Sequence, residues 1–178
     1  MFSKKEDAPG LIMVFTGDGK GKTTTAVGQA LRAVGHGYRV FMIQFMKGRD
    51  YGEVLASQQL PNFTLEKAGR DVFVKRGEPD PVDVEMARKG WEKAQEAAES
   101  DQYHLLILDE LNVALSYGLL PQEEVIDFLK NQKLPLGVII TGREASEEVM
   151  ELADLVSEVK EIKHHYTQGF TSLKGIEF

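Results

Sequence analysis

The stretch Gly17-Asp18-Gly19-Lys20-Gly21-Lys22-Thr23-Thr24 follows the apolar run Leu11-Ile12-Met13-Val14-Phe15 and precedes an alanine- and leucine-bearing segment of helical character. A strand, a glycine turn and a helix N-terminus in that order aim backbone N–H groups and the positive end of the helix dipole at one point, which favours a polyanion. Lys22 adds a mobile cation and Thr23 a hydroxyl for Mg²⁺ or Mn²⁺, so the stretch reads as a triphosphate cradle built from Gly17, Asp18, Gly19, Lys20, Gly21, Lys22, Thr23 and Thr24. The loop is short: Asp18-Gly19-Lys20 alone separates Gly17 from Gly21, where the usual G-x-x-x-x-G-K-[ST] pattern has one residue more. Moving the first-glycine role to Thr16 would put a β-branched residue where φ > 0 is often needed. The spacing therefore predicts a modified wrap around the phosphates.

Working outward, the 178 residues suffice for one domain, residues 1–178, with a core that needs no staples. There is no cysteine, which excludes disulfides and thiolate zinc sites, and four histidines are a thin supply for a structural metal centre. The longest apolar runs, such as Leu105-Leu106-Ile107-Leu108, are strand-length and far below the roughly 20 residues that cross a bilayer. Met1 to Asp7 lacks the apolar core of a signal peptide, so a cytoplasmic protein without membrane contact is expected. A formal charge of −7 argues against a nucleic-acid partner, because tracking a phosphate backbone takes clustered Lys and Arg. Positive charge gathers at Lys20 and Lys22, where it serves a small anion.

Strand-like runs at Leu11 to Phe15, Val40 to Phe45, Phe63 to Leu65, Leu105 to Leu108, Val138 to Thr141 and, more weakly, Val156 to Ile162 alternate with helical patterns. This is the signature of βα units: an α/β, RecA-like three-layer fold with a mostly parallel sheet of about six strands. A helix is expected from Lys22 to Val34, stopped by Gly35-His36-Gly37. Lys67 to Asp80, broken by Gly69, Gly77 and Pro79, reads as a long functional loop. Asp80-Pro81 then caps a helix to about Ser100, with Met86, Gly90, Trp91, Ala94 and Ala98 on its inner face. Trp91 fits core packing within that stripe better than a cofactor platform. A further helix starts at Pro121, with Glu123 and Glu124 in its first turn.

Leu105 to Leu108 ends in Asp109-Glu110, the form of a strand that sets carboxylates beside a nucleotide-bound metal. Glu110 would be the base for a water in an ATPase, or a metal ligand together with Thr23 in an enzyme that excludes water. Arg143, after Val138-Ile139-Ile140-Thr141-Gly142, reads either as a phosphate or ribose contact or as a surface arginine.

The ordered set Thr16 to Thr24, Arg32 to Gly37, Gln44 to Gly48, Leu108 to Leu111, Ile139 to Arg143, Leu152 to Asp154, Lys163-His164 and Gly175 to Phe178 resembles the bacterial ATP:corrinoid adenosyltransferases over nearly the whole chain. The short glycine loop is a trait of that family, which is associated with ATP bound in the reverse sense. The resemblance implies attack by a corrinoid Co(I) on the ribose C5′ of ATP with loss of intact triphosphate, in adenosylcobalamin biosynthesis or salvage. It implies Lys22 and Arg143 in catalysis, Thr23 and Glu110 on the metal, and Arg32 and His164 as nucleotide or corrinoid contacts, beside the reading of His164-His165 as an ordinary hydrogen-bonded pair. It further implies an aromatic side chain that displaces the lower axial ligand of the corrinoid, for which Phe73 is the candidate, beside the reading of Phe73 as an anchor of its own loop. A flavoprotein or reduced flavin as electron donor, and a homodimer, follow from the same resemblance. So does a lid formed by something other than a long N-terminal helix. The competing readings are a nucleotide-dependent binding module and a plain ATPase or small-molecule kinase.

Overall fold

The computed structural model describes residues 10–131, 137–170 and 173–176. The amino-terminal segment from Met1 to Asp7 and the Glu177-Phe178 end of the last matching stretch lie outside them.

Six strands, β1 (Leu11–Thr16), β2 (Val40–Phe45), β3 (Phe63–Ala68), β4 (Leu105–Asp109), β5 (Gly137–Thr141) and β6 (Leu155–Glu158), form one sheet in the order β3-β2-β4-β5-β1-β6. Every pairing is parallel, as βα connections require. Because successive side chains alternate between faces, the apolar runs cover both sides of the sheet. Phe41, Ile43, Leu106, Leu108, Val138 and Ile140 meet α3 (Pro81–Glu99), α4 (Leu111–Ser116), α5 (Gln122–Asn131) and α6 (Glu147–Leu152). On the opposite face Val40, Met42, Leu105, Ile107 and Ile139 meet Ala26, Ala30 and Ala33 of α1 (Lys22–Gly35), whose small side chains let the helix lie close to the sheet. The result is an α/β fold of three layers.

The helix stop falls on Gly37, at φ 78°, with its N–H on the Val34 carbonyl and the Tyr38 N–H on that of Ala33. α3 begins as expected, the Asp80 carboxylate accepting from the Val82 N–H at 2.8 Å ahead of Pro81. Trp91 is fully buried, edge-on to Phe128 at 5.1 Å, and its Nε1–H donates to Glu124 at 2.8 Å. It is core, and Ala87 rather than the half-buried Met86 completes its stripe.

Two strand boundaries and three short helices differ from the sequence expectation. β3 continues through Glu66 and Lys67 to Ala68, so the long loop starts at Gly69; on a sheet edge one polar side chain per repeat is solvated without breaking the ladder. β6 stops at Glu158, because the next residues turn onto the glycine loop. α2 (Gly52–Ser57), α4 and α6 are six-residue helices, too short to show a periodic pattern.

This topology sets the site. β5 lies between β1 and β4, so the glycine loop and the Asp109 strand end sit two strands apart, about 10 Å at the usual spacing. Thr23 of α1 and Thr141 of β5 bridge that interval to Asp109, while β2 flanks β4 on its other side. β2 is buried at every position, yet it contains Gln44, and a buried amide without partners costs several kcal/mol. Its partners define the second half of the site.

Candidate nucleotide and corrinoid site

The glycine loop is closed from outside. A Cβ on Gly17, which sits at φ 97°, would meet the Val159 carbonyl at 2.6 Å, and one on Gly19 would meet the Lys160 backbone at 2.7 Å. The Gly19 N–H donates to the Val159 carbonyl at 2.7 Å, so the segment leaving β6 fastens the short loop. Inside it, Lys22 Nζ donates to the carbonyls of Gly17 and Gly19, both at 2.7 Å. Burial, only partly offset by the Glu110 carboxylate, pulls the Lys22 pKa below the ordinary lysine value.

Asp109 is completely buried and takes four donors. Oδ1 accepts from the hydroxyls of Thr23 at 2.8 Å and Thr141 at 2.7 Å, while Oδ2 accepts from Lys47 Nζ at 2.8 Å and the Gln44 amide at 3.1 Å. The same Gln44 nitrogen donates to Glu53 at 3.0 Å. With both carboxylates on the NH₂ side, Gln44 Oε1 is buried without a hydrogen-bond partner. Lys47 Nζ also lies 3.2 Å from the Thr23 hydroxyl. Burial opposes the Lys47 charge, but Asp109 and Glu110 outweigh it and hold its pKa above the ordinary value.

Glu110 leaves β4 in the left-handed region at φ 60°, its N–H on the Thr141 hydroxyl at 3.0 Å. Burial first, and the adjacent Asp109 second, push its carboxyl above the usual range. A cavity of about 420 Å³ opens over these groups, lined by Lys20, Lys22, Thr23, Lys47 and Glu110, with Ile176 and Tyr51 as apolar walls. Three lysines around one concave site suit a multiply charged anion. Among the described residues no group of three or more His, Asp or Glu is placed to hold a metal.

The other residues singled out in the sequence fall in different places. Thr24 and Gly21 line the cavity. Arg143 donates from Nη2 to the Asp18 carbonyl at 3.2 Å, with its guanidinium on the exposed rim of the loop. Arg32 does not join them: it lies in the last turn of α1, bonded to Gln29, about 14 Å along the helix from Thr23. His164 stacks on His165 with centroids 4.6 Å apart and accepts from the Tyr166 N–H, away from the cavity lining.

Phe73 is 98% exposed. Its loop is pinned on both sides of it, by Arg70 reaching both Asp83 oxygens at 2.8 Å, by the buried Val74, and by Arg76 on Glu144 at 2.9 Å. Phe73 therefore does not anchor its loop; the loop holds Phe73 out.

The sequence marks no role for Lys47, Gln44, Glu53 or Thr141, and it presents Asp109 only jointly with Glu110. One signal was available, the single polar residue in Val40-Phe41-Met42-Ile43-Gln44-Phe45, which pairs in register with Asp109.

Comparison with known proteins matches residues 8–178 to the family described as ATP:corrinoid adenosyltransferase BtuR/CobO/CobP. A corrinoid adenosyltransferase of Sinorhizobium sp. is 37% identical over 191 residues, covering 100% of this chain and 85% of the relative. The corrinoid adenosyltransferase of Escherichia coli K12 is 37% identical over 178 residues, covering 99% and 89%. That of Salmonella typhimurium, named CobA, is 35% identical over 185 residues, again covering 99% and 89%.

Proposed function

The chain belongs to the ATP:corrinoid adenosyltransferase family, and from that premise we propose that it moves the 5′-deoxyadenosyl group of ATP onto the Co(I) centre of a corrinoid, releasing triphosphate. The reaction serves adenosylcobalamin biosynthesis or salvage. The observation that carries the reading is the three-lysine cavity over the loop from Gly17 to Thr24, a seat for the anionic tail of ATP.

In the transfer the cobalt electron pair forms a Co–C bond at C5′, the C5′–O bond breaks, and the triphosphate leaves with its electrons. No proton moves, and no side-chain nucleophile is needed. What the protein must supply is alignment of the two reactants and stabilisation of charge on the departing oxygens. Lys22 does the second, exchanging the loop carbonyls for phosphate, with the loop N–H groups. Arg143 on the rim completes the set.

Thr23 Oγ1 and the Glu110 carboxylate, both lining the cavity, fit an oxygen-seeking divalent ion, Mg²⁺ or Mn²⁺, with Asp109 bonded to the Thr23 hydroxyl behind them. Such an ion would neutralise the triphosphate. Asp109, with donors on both oxygens, is poorly placed to deprotonate a water, so an ATPase would have to use Glu110, which lines the cavity.

We extend the proposal to one domain over residues 1–178, a cytoplasmic setting and a flavoprotein or reduced flavin as electron donor, without a nucleic-acid partner. Among the described residues no helix is long and apolar enough to cross a membrane. A homodimer is part of the proposal, supported by β6 standing at the sheet edge among the described residues with Leu155 and Val156 exposed.

The test is product analysis. Mg-ATP with chemically reduced corrinoid should give an adenosyl–cobalt product and triphosphate in equal amounts; ADP and phosphate instead would reject the transferase reading. Phe73, held out by its loop, is proposed to displace the lower axial ligand of Co(II) corrinoid. Phe73→Ala should then lose most activity, about tenfold or more, when Co(II) corrinoid is supplied with reduced flavin, and little with pre-formed Co(I). An equal loss in both assays would remove that role.

A further inference from the structure

We propose that Lys47 is a built-in cation that occupies the divalent-ion position of the nucleotide-free protein and passes to the triphosphate when the metal–nucleotide complex enters. The second half of this statement rests on the reading of residues 17–24 as the triphosphate seat.

The argument starts from one hydroxyl. Thr23 Oγ1 gives its proton to Asp109 at 2.8 Å and lies 3.2 Å from Lys47 Nζ, which donates into its lone pairs. A metal ligated by Thr23 needs that same electron density. Lys47 Nζ also takes Asp109 Oδ2 at 2.8 Å, so the ammonium already neutralises a fully buried carboxylate that would otherwise attract the ion. An ammonium and a divalent ion cannot share this spot, because like charges a few ångströms apart in a half-buried site repel strongly.

The side chain has somewhere to go. Lys47 is 16% exposed and lines the cavity beside Lys20 and Lys22, its ammonium carried on a flexible four-carbon stem. Its backbone stays put: a Cβ on Gly69 would strike Met46 and the Lys47 nitrogen at 2.6 Å, so the two loops are in backbone contact. Lys47 thus balances Asp109 while the site is empty and balances phosphate when it is full, so neither state leaves the charge unpaired.

The test measures metal binding without nucleotide. Mn²⁺ is titrated into the free protein and followed by electron paramagnetic resonance for wild type, Lys47→Met and Lys47→Gln, the last keeping a donor toward Asp109 in case the first fails to fold. Both variants should bind Mn²⁺ about tenfold or more tightly than wild type. In EDTA, where no metal competes, both should bind ATP about tenfold or more weakly, having lost a phosphate cation. Unchanged or weaker Mn²⁺ binding in the variants, with ATP binding by wild type intact, overturns the proposal and leaves the transferase reading standing. Tighter Mn²⁺ binding with no ATP binding by wild type overturns the transfer of Lys47 to phosphate together with the nucleotide reading on which it rests.

Discussion

Lys22→Ala should lower kcat/KM for adenosyl transfer by about 10²–10³-fold, the scale on which loss of one donor to a developing negative charge is felt. The fold should survive the substitution at a modest cost. Lys22 is not a surface loop residue: it is 8% exposed and satisfies the carbonyls of Gly17 and Gly19. Its removal opens both carbonyls to the cavity, where water replaces the ammonium, so the stability cost is about 1–2 kcal/mol and the fall in Tm roughly 2–8 °C. Single-turnover kinetics with pre-reduced corrinoid, run well below the variant's Tm, separate the two effects. If activity returns in proportion to the folded fraction, Lys22 is a structural plug of its loop and the electrostatic role is wrong. If the loss persists at every temperature where the protein is folded, the positive charge acts on the leaving triphosphate.

The parts of this molecule that could be read from the sequence are those whose causes are local. The order of strand, glycine turn and helix around Gly17 to Thr23 dictates β1, the loop and α1, and Asp80-Pro81 dictates the start of α3. The buried runs β4 and β5 announce themselves by continuous apolar composition. Glu66 and Lys67 hid the last turn of the β3 edge, because a polar pair there is solvated or ion-paired, as Glu66 is with Lys93.

The site divides in the same way. Lys20, Lys22, Thr23 and Glu110 share the cavity and come from motifs with fixed spacing. Lys47 carries no such mark, since the partner that gives it meaning lies 62 residues away and reaches it only through the pairing of β2 with β4. The fastening of the glycine loop by Val159 is invisible for the same reason, being a backbone contact across the sheet that any side chain at that position would make. Arg32, named through the resemblance alone, sits in the last turn of α1 and outside the lining of this cavity.

Asp109→Ala should be the most destabilising single change in the site, by about 3–5 kcal/mol, or roughly 10 °C in Tm by thermal denaturation. The carboxylate is 0% exposed, and its loss strands the Lys47 ammonium and three neutral donors at once. Asp109→Asn separates the causes, because it keeps the volume and an acceptor for the two threonine hydroxyls while deleting the charge that faces Lys47. Most of the cost should therefore appear in Asp109→Asn if the ion pair dominates, and little of it if the hydroxyl bonds do. Adding Lys47→Met to Asp109→Ala should recover stability, since an apolar pair in place of a buried ion pair is often neutral, and a double variant that melts with or below the single one would refute the pairing account. The pH dependence has a fixed sign. The Lys47 pKa is raised in the folded protein, so the stability it brings is full below the ordinary lysine value of 10.5 and fades only as pH climbs through the higher folded value. The Tm gap between wild type and Asp109→Ala should accordingly hold steady across the neutral range and close only in strong alkali; a gap that closes near neutrality would assign the stabilisation to some group other than this lysine.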